Sequence, residues 1–273
     1  LATYGDMLRV PGQLGSLEQQ RAHGAKVQVV YSARGAIDLA ENNPQAAVVF
    51  VAVGFETTAP ATAAVVLEAE KRGLTNLFFL TAHKLVIPAM LALLSAGDVP
   101  IDGFLCPGHV SIVIGADAYR PIVEQYRKPC VVAGFEPQQI VQGIRSLLRQ
   151  FAANECRLDN VYKVAVSDDG NAHARSLLEK VFEPADAAWR AMGVIPGSGL
   201  EFRPEYRRFD ALRKYNIKLG EDQDPPGCRC GEVIQGKVTP AECGLFAKQC
   251  TPIFPIGPCM VSSEGTCSAW YKY

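Results

Sequence analysis

Ala47-Val48-Val49-Phe50-Val51-Ala52-Val53-Gly54-Phe55-Glu56-Thr57-Thr58-Ala59-Pro60 is the stretch from which the fold can be read. An apolar, largely β-branched run over 47–53 with no polar alternation suits a strand buried on both faces. Gly54 permits a tight turn, and the proline suits the first turn of a helix over 61–72. The same unit recurs on either side. Apolar runs at 27–31, 77–81, 103–105 and 130–133 predict further strands, and 87–96 and 137–150 predict helices between and after them. Alternating strand and helix implies an α/β layered fold with parallel sheets and right-handed crossovers.

Three strand exits look alike. Val53 runs into Gly54-Phe55-Glu56, Leu105 into Cys106-Pro107-Gly108-His109-Val110-Ser111, and Ala133 into Gly134-Phe135-Glu136-Pro137. In an open α/β sheet such loops gather at one edge, where ligands bind. A further strand is expected at 161–166 and a return helix over 172–192. Residues 193–227 lose periodicity and collect glycine and proline, which reads as a connector.

Composition narrows the function classes. The chain has 273 residues, 48% hydrophobic and 20% charged, with a formal net charge of −1. That is a globular balance with no basic run to footprint nucleic acid or an anionic membrane surface. No apolar stretch approaches the roughly 20 residues of a membrane helix. No export signal stands at Leu1, so a cytoplasmic location is expected.

Six of the nine cysteines fall between Cys228 and Cys267. They stand as Cys228-x-Cys230, twelve residues, Cys243, six residues, Cys250, eight residues, Cys259, seven residues, Cys267. This tail has few aliphatics and needs a staple. Three readings compete: disulfides of a secreted module, a zinc site, and a [4Fe–4S] cluster that takes four thiolates and leaves a redox pair. The absence of an export signal weighs against the first, and the lack of any Cys-x-x-Cys pair weighs against the second. Cys106, Cys130 and Cys156 read as buried or packing residues, as does Met260. Thr57 or Thr58 reads as a helix cap, and Glu136 as a cleft residue or one favouring its helix N-terminus. His23, His83 and His173 read as structural or exposed.

At this point a family resemblance enters. Cys228-Arg-Cys-Gly-Glu-Val-Ile-Gln-Gly, Pro240-Ala-Glu-Cys-Gly-Leu-Phe, Cys250-Thr-Pro and Gly257-Pro-Cys-Met-Val-Ser-Ser-Glu-Gly-Thr-Cys267 are similar to the C-terminal signature of the HypD family. Thr3-Tyr-Gly-Asp-Met, Arg9-Val-Pro-Gly, Gly54-Phe-Glu-Thr-Thr-Ala-Pro and Pro107-Gly-His-Val-Ser resemble its body motifs, in order. The resemblance implies two Rossmann-like α/β layered domains around a cleft plus a small cysteine-rich iron–sulfur domain. The expected division is 1–43 as a remnant of the first domain, 44–192 as the second domain with its return helix, and 193–273 as connector and cysteine-rich domain.

It also implies a scaffold in [NiFe]-hydrogenase maturation that assembles an Fe(CN)2CO unit with a HypC-type chaperone and a HypE-type cyanide donor. Its cofactor would be a [4Fe–4S] cluster, its cargo a transient iron carrying cyanide and carbonyl. The family's cluster surroundings resemble those of ferredoxin:thioredoxin reductase. By that likeness Cys228, Cys243, Cys250 and Cys267 are expected as ligands and Cys230 with Cys259 as the redox pair. Glu56, Thr57, Thr58, His109 and Ser111 are expected in the cleft. The family's Cys-Gly-Gly-His and Cys-Pro-Val-Cys type motifs are not among these residues, so a chain with an incomplete first domain, able to bind a cluster but not to complete maturation, is expected. The alternatives are a stand-alone cluster-dependent thiol–disulfide reductase and an α/β binding module with a structural zinc tail.

Overall fold

The computed structural model describes residues 1–97, 99–189, 192–218, 220 and 225–273. Elements follow in the order β1 (Ala2–Thr3), α1 (Leu17–Ala22), β2 (Gln28–Val29), α2 (Gly35–Asn42), β3 (Val48–Gly54), α3 (Ala59–Lys71), β4 (Leu77–His83) and α4 (Val86–Ser95). Next come β5 (Phe104–Pro107), α5 (Gly108–Ile114), α6 (Arg120–Tyr126), β6 (Cys130–Ala133), α7 (Pro137–Ala152), β7 (Leu158–Asn160) and α8 (Ala172–Val181). The chain ends with β8 (Phe182–Trp189), β9 (Gly193–Phe202), α9 (Ala211–Lys214), α10 (Cys230–Ile234) and α11 (Thr266–Lys272).

The architecture is α/β with parallel sheets in Rossmann-like layers. One sheet has the order β2-β1-β3-β4, and a second has the order β5-β6-β7. In the first, Val48 to Gly54 pair in parallel register with Leu77 to His83, and Ala2 of β1 meets Phe50. Covering α3 turns Thr62, Ala63, Val65, Val66 and Ala69 inward, a stripe at helical spacing. Phe79 is the hub of this core, with the rings of Phe50, Phe202 and Phe209 each 6.2 Å away. The second sheet has its own core of Leu94, Cys106, Tyr119, Ile122, Cys130 and Val132.

Three sequence expectations are corrected. The division at residue 43 runs through the first sheet, because β1 and β3 pair and share one core. The strand expected at 161–166 lies earlier, at Leu158–Asn160. Asn160 ends it by turning on itself: its Oδ1 accepts from Tyr162 N–H and its Nδ2 donates to the Val166 carbonyl. The return helix over 172–192 stops at Val181, and β8 and β9 form an antiparallel hairpin inside the expected helix and connector. Pro184 cannot continue a helix, and Phe182 and Phe202 gain the first core by pairing, ring centroids 5.0 Å apart. Residues 190, 191, 219 and 221–224 of those two expectations lie outside the described residues.

Two backbones lock the second core to α8. A Cβ on Gly115 (φ +88°) would meet the Asp168 carbonyl oxygen, and one on Gly170 would meet that of Val113. Gly115→Ala is expected to lower stability by more than about 2 kcal/mol in a urea titration, from strain and clash together. His83, at the end of β4, is buried with Nε2 3.1 Å from Thr62 Oγ1. Burial, opposed by the Gly54 carbonyl, brings its pKa down to about 4. The folded chain thus holds a neutral imidazole that the unfolded chain protonates near its ordinary value. Stability is therefore expected to fall by up to about 3 kcal/mol as pH drops from 6.5 towards 4, and His83→Leu should flatten that limb of the urea midpoint against pH.

Candidate functional site

Chemistry-bearing residues gather in two places. At the strand exits, Gly54 (φ +119°) lets Thr58 fold back, and its hydroxyl donates to the carbonyls of Val53 (3.0 Å) and Phe55 (3.2 Å). Thr58 occupies the N-cap of α3, yet its oxygen closes the strand end and caps no helix N–H. Thr57 is exposed. Glu56 is buried, and its Oε1 accepts the Val86 N–H at 2.9 Å. It thereby caps α4, whose own N-cap, Leu85, has no side-chain oxygen. Its Oε2 is buried without a hydrogen-bond partner, and burial pushes the carboxyl pKa up against the backbone hydrogen bonds.

At the β5 exit the picture divides. His109 is exposed and lies over Phe135 from the β6 exit, ring centroids 4.4 Å apart. Gly108 and Gly134 make room there, since a Cβ on either would press on Tyr162. Ser111, expected in the cleft, is buried: its hydroxyl donates to the Pro107 carbonyl at 2.8 Å and lies 3.1 Å from the Tyr119 hydroxyl. Glu136 caps α7 in a reciprocal box with Gln139. Cys106 and Cys130 are buried side by side, and burial first, then Cys130, holds the Cys106 thiol far above its ordinary pKa. A cleft of ≈ 1500 Å³ opens elsewhere, between His83, Asp186, Arg213, Pro226 and Ile256, and none of the five expected cleft residues lines it. Sequence reasoning missed that cleft because the hairpin forming one wall was expected as helix.

The second place is the tail. Cys230 opens α10, Cys243 follows the turn Pro240–Glu242, Cys259 lies in the turn Pro258–Met260, and Cys267 sits in α11. Together with Cys228 and Cys250 they line one cavity, walled by Val233, Leu245, Phe246 and buried Met260. Cys230 Sγ and Cys259 Sγ are 2.8 Å apart. Cys250 Sγ accepts the Ile256 N–H at 3.3 Å, and a Cβ on Gly257 would come within 2.6 Å of Cys228 Sγ.

Neighbouring sulfurs and burial shift two of the thiols. At Cys230 the hydrogen bond from Cys228 lowers the pKa, but the bond to Cys259 and burial outweigh it and push the thiol up to about 11. Cys267 is likewise raised to about 11, by burial and then by Cys230, Cys250, Cys243 and Cys228. Such a donor set is soft and apolar-walled, which fits a group that brings iron to thiolates. Among the described residues no three metal-binding side chains already stand as a single-ion site. No helix among them is long and apolar enough to cross a membrane.

Glu56 generates a signed prediction. Because its folded pKa is raised, stability is lost as pH rises from the ordinary carboxyl value through the folded one. Glu56→Gln keeps an acceptor for Val86 and removes the charge. Its melting temperature relative to the parent is expected to climb between pH 5 and 8, and a constant difference over that range would count against the buried carboxylate.

Comparison with known proteins places these observations. The family described as "HypD: Hydrogenase formation hypA family" matches residues 1–273. The hydrogenase maturation factor HypD of Escherichia coli (strain K12) is 45% identical over 272 residues, covering 99% of this chain and 73% of that protein. HypD of Cupriavidus necator is 43% identical over 281 residues, covering 100% of this chain and 74% of its own length. A putative hydrogenase expression/formation protein of Methanocaldococcus jannaschii is 40% identical over 273 residues, covering 100% and 76%. With its α/β body, its six-thiol tail and matches along the full sequence, the chain belongs to the HypD family of hydrogenase maturation factors.

Proposed function

We propose that the chain is an iron–sulfur scaffold of hydrogenase maturation, with one cavity serving both a [4Fe–4S] cluster and a working dithiol. The observation that carries this reading is the convergence of six thiols on one apolar-walled cavity, with Cys230 and Cys259 as a close pair. Cys228, Cys243, Cys250 and Cys267 would hold the cluster. A bound cluster supplies one-electron chemistry beside the pair. A zinc ion needs its four thiolates within about 4 Å of one another, given a metal–sulfur length of about 2.3 Å. A four-iron cluster spreads its ligands further, around the cavity that the six cysteines line.

The protein's own residues then have defined tasks. Val233, Leu245, Phe246 and Met260 give the thiols an apolar wall. Prolines 252 and 258 stiffen the loops that carry Cys250 and Cys259. Closing Cys230 and Cys259 to a disulfide releases two electrons and two protons, and their spacing already approaches what the bond requires. The iron carrying cyanide and carbonyl is cargo, worked on with a HypC-type chaperone and a HypE-type cyanide donor. Membership in a maturation family supports partners of this kind.

Iron, acid-labile sulfide and zinc on anaerobically purified protein test the reading. About four iron and four sulfide per chain are expected. Serine at Cys228, Cys243, Cys250 or Cys267 should lose iron, whereas Cys230→Ser and Cys259→Ser should retain it. One zinc with no sulfide would end the redox reading and leave the tail a structural staple.

A further inference from the structure

Arg9 lies far from the cysteines in sequence and against them in space. It closes the 3-10 turn Asp6–Arg9, which follows β1 at the exit of the first sheet. Its Nη2 donates to the Val261 carbonyl at 2.9 Å and its Nη1 to the Pro252 carbonyl at 3.2 Å. These two acceptors are the two ends of the loop 252–261, which carries Cys259 and the Gly257 that abuts Cys228. Among the described residues no carboxylate pairs with Arg9, so the guanidinium is committed to these carbonyls.

We infer that Arg9 is a positioning residue for the Cys230–Cys259 pair. One planar fork holds both ends of the loop, and so sets how far Cys259 stands from Cys230 on α10. Arginine suits this task for a geometric reason. Its rigid group donates from two nitrogens at once, whereas a lysine ammonium is a single point on a flexible stem. The turn that carries Arg9 buries no residue of its own, so the side chain reaches the tail without serving the core. The same stretch continues into Pro11 and Gly12, which line the large cleft together with Pro255 and Ile256 of that loop. The Arg-Val-Pro-Gly segment is thus the strap by which the α/β body fixes the cysteine loops.

The inference rests on the proposed role of Cys230 and Cys259, and its test separates the two. Iron is removed from the 273-residue chain, the thiols are kept reduced, and alkylation by iodoacetamide is followed at each cysteine by mass spectrometry. In Arg9→Met, Cys259 is expected to react about tenfold faster than in the parent, the scale of losing hydrogen bonds to a charged donor. Arg9→Lys should fall between them. Cys106 and Cys130, buried in the second core, report global opening and should stay slow in all three proteins.

Cys259 reacting at the parental rate in Arg9→Met would overturn the inference. So would Cys106 and Cys130 accelerating with it, since Arg9 would then be a general stability residue. Closure of the Cys230–Cys259 disulfide is read separately in a glutathione buffer. A parent whose pair does not close at any ratio refutes the dithiol role while the alkylation rates still decide the strap. A parent that closes it should do so with about a tenfold larger equilibrium constant than Arg9→Met, and equal constants would count against positioning.

Discussion

The carboxylate of Glu56, buried at the N-terminus of α4, is the contact on which the relation between the two sheets depends. Helix α4 starts at Val86 directly after the first sheet's last strand, and it sends Leu94 into the core of the second. Leu85 offers no oxygen to its first turn, so the cap comes from a residue 30 positions upstream, at the exit of β3. A second bond fixes the same place from the other side, where Leu85 N–H donates to the Ser198 carbonyl of the hairpin. Exit loop, crossover helix and hairpin therefore move together or not at all. The cost is a buried oxygen with no partner and a carboxyl that resists ionisation.

The tail is built on a different principle. Its helices are short, and sulfur-bearing Cys230, Cys250 and Met260 share its small interior with Val233, Pro240, Val261 and Ser268. Local hydrogen bonds shape the loops, as where Thr239 and Glu242 cap each other around the turn Pro240–Glu242. Exposed Ile253 and Phe254 show how little apolar surface it buries for itself. A module of this kind takes its rigidity from what crosses its cavity and from what holds it at the edge. Arg9 does the second.

Where the strands of the body lie was legible in the sequence because β3, β4 and β6 are buried on both faces, so their runs carry no competing pattern. The two-residue strand β1 has no period to detect, and only its pairing with β2 and with Phe50 of β3 reveals it. That is why the division at residue 43 looked reasonable. The hairpin β8–β9 was hidden for another reason: Ala185, Ala187, Ala188 and Trp189 suit a helix locally, and it is Pro184 and the aromatic core that settle the matter. At the strand exits, motif position alone could not separate Ser111, spent on Tyr119, from His109, exposed over Phe135. Both follow the same strand. Which face of a short helix each presents is fixed by Gly108 packing against Tyr162, a contact distant in sequence.

The six thiols were legible as a cluster of cysteines but not as a charge problem. Burial and neighbouring sulfurs hold Cys230 and Cys267 above their ordinary range, although the hydrogen bond from Cys228 pulls Cys230 the other way. At neutral pH Cys230 and Cys267 are thiols, whereas a metal is bound by thiolates. A metal taken up at Cys267 would have to displace its proton. Cys230 and Cys259 can answer the same crowding in another way, by sharing a hydrogen or by joining as a disulfide, which removes both ionisable groups at once. A crowded site whose thiols can bind a cation or join as a disulfide has a physical reason for either outcome. That reason is independent of which spacing the sequence happens to use.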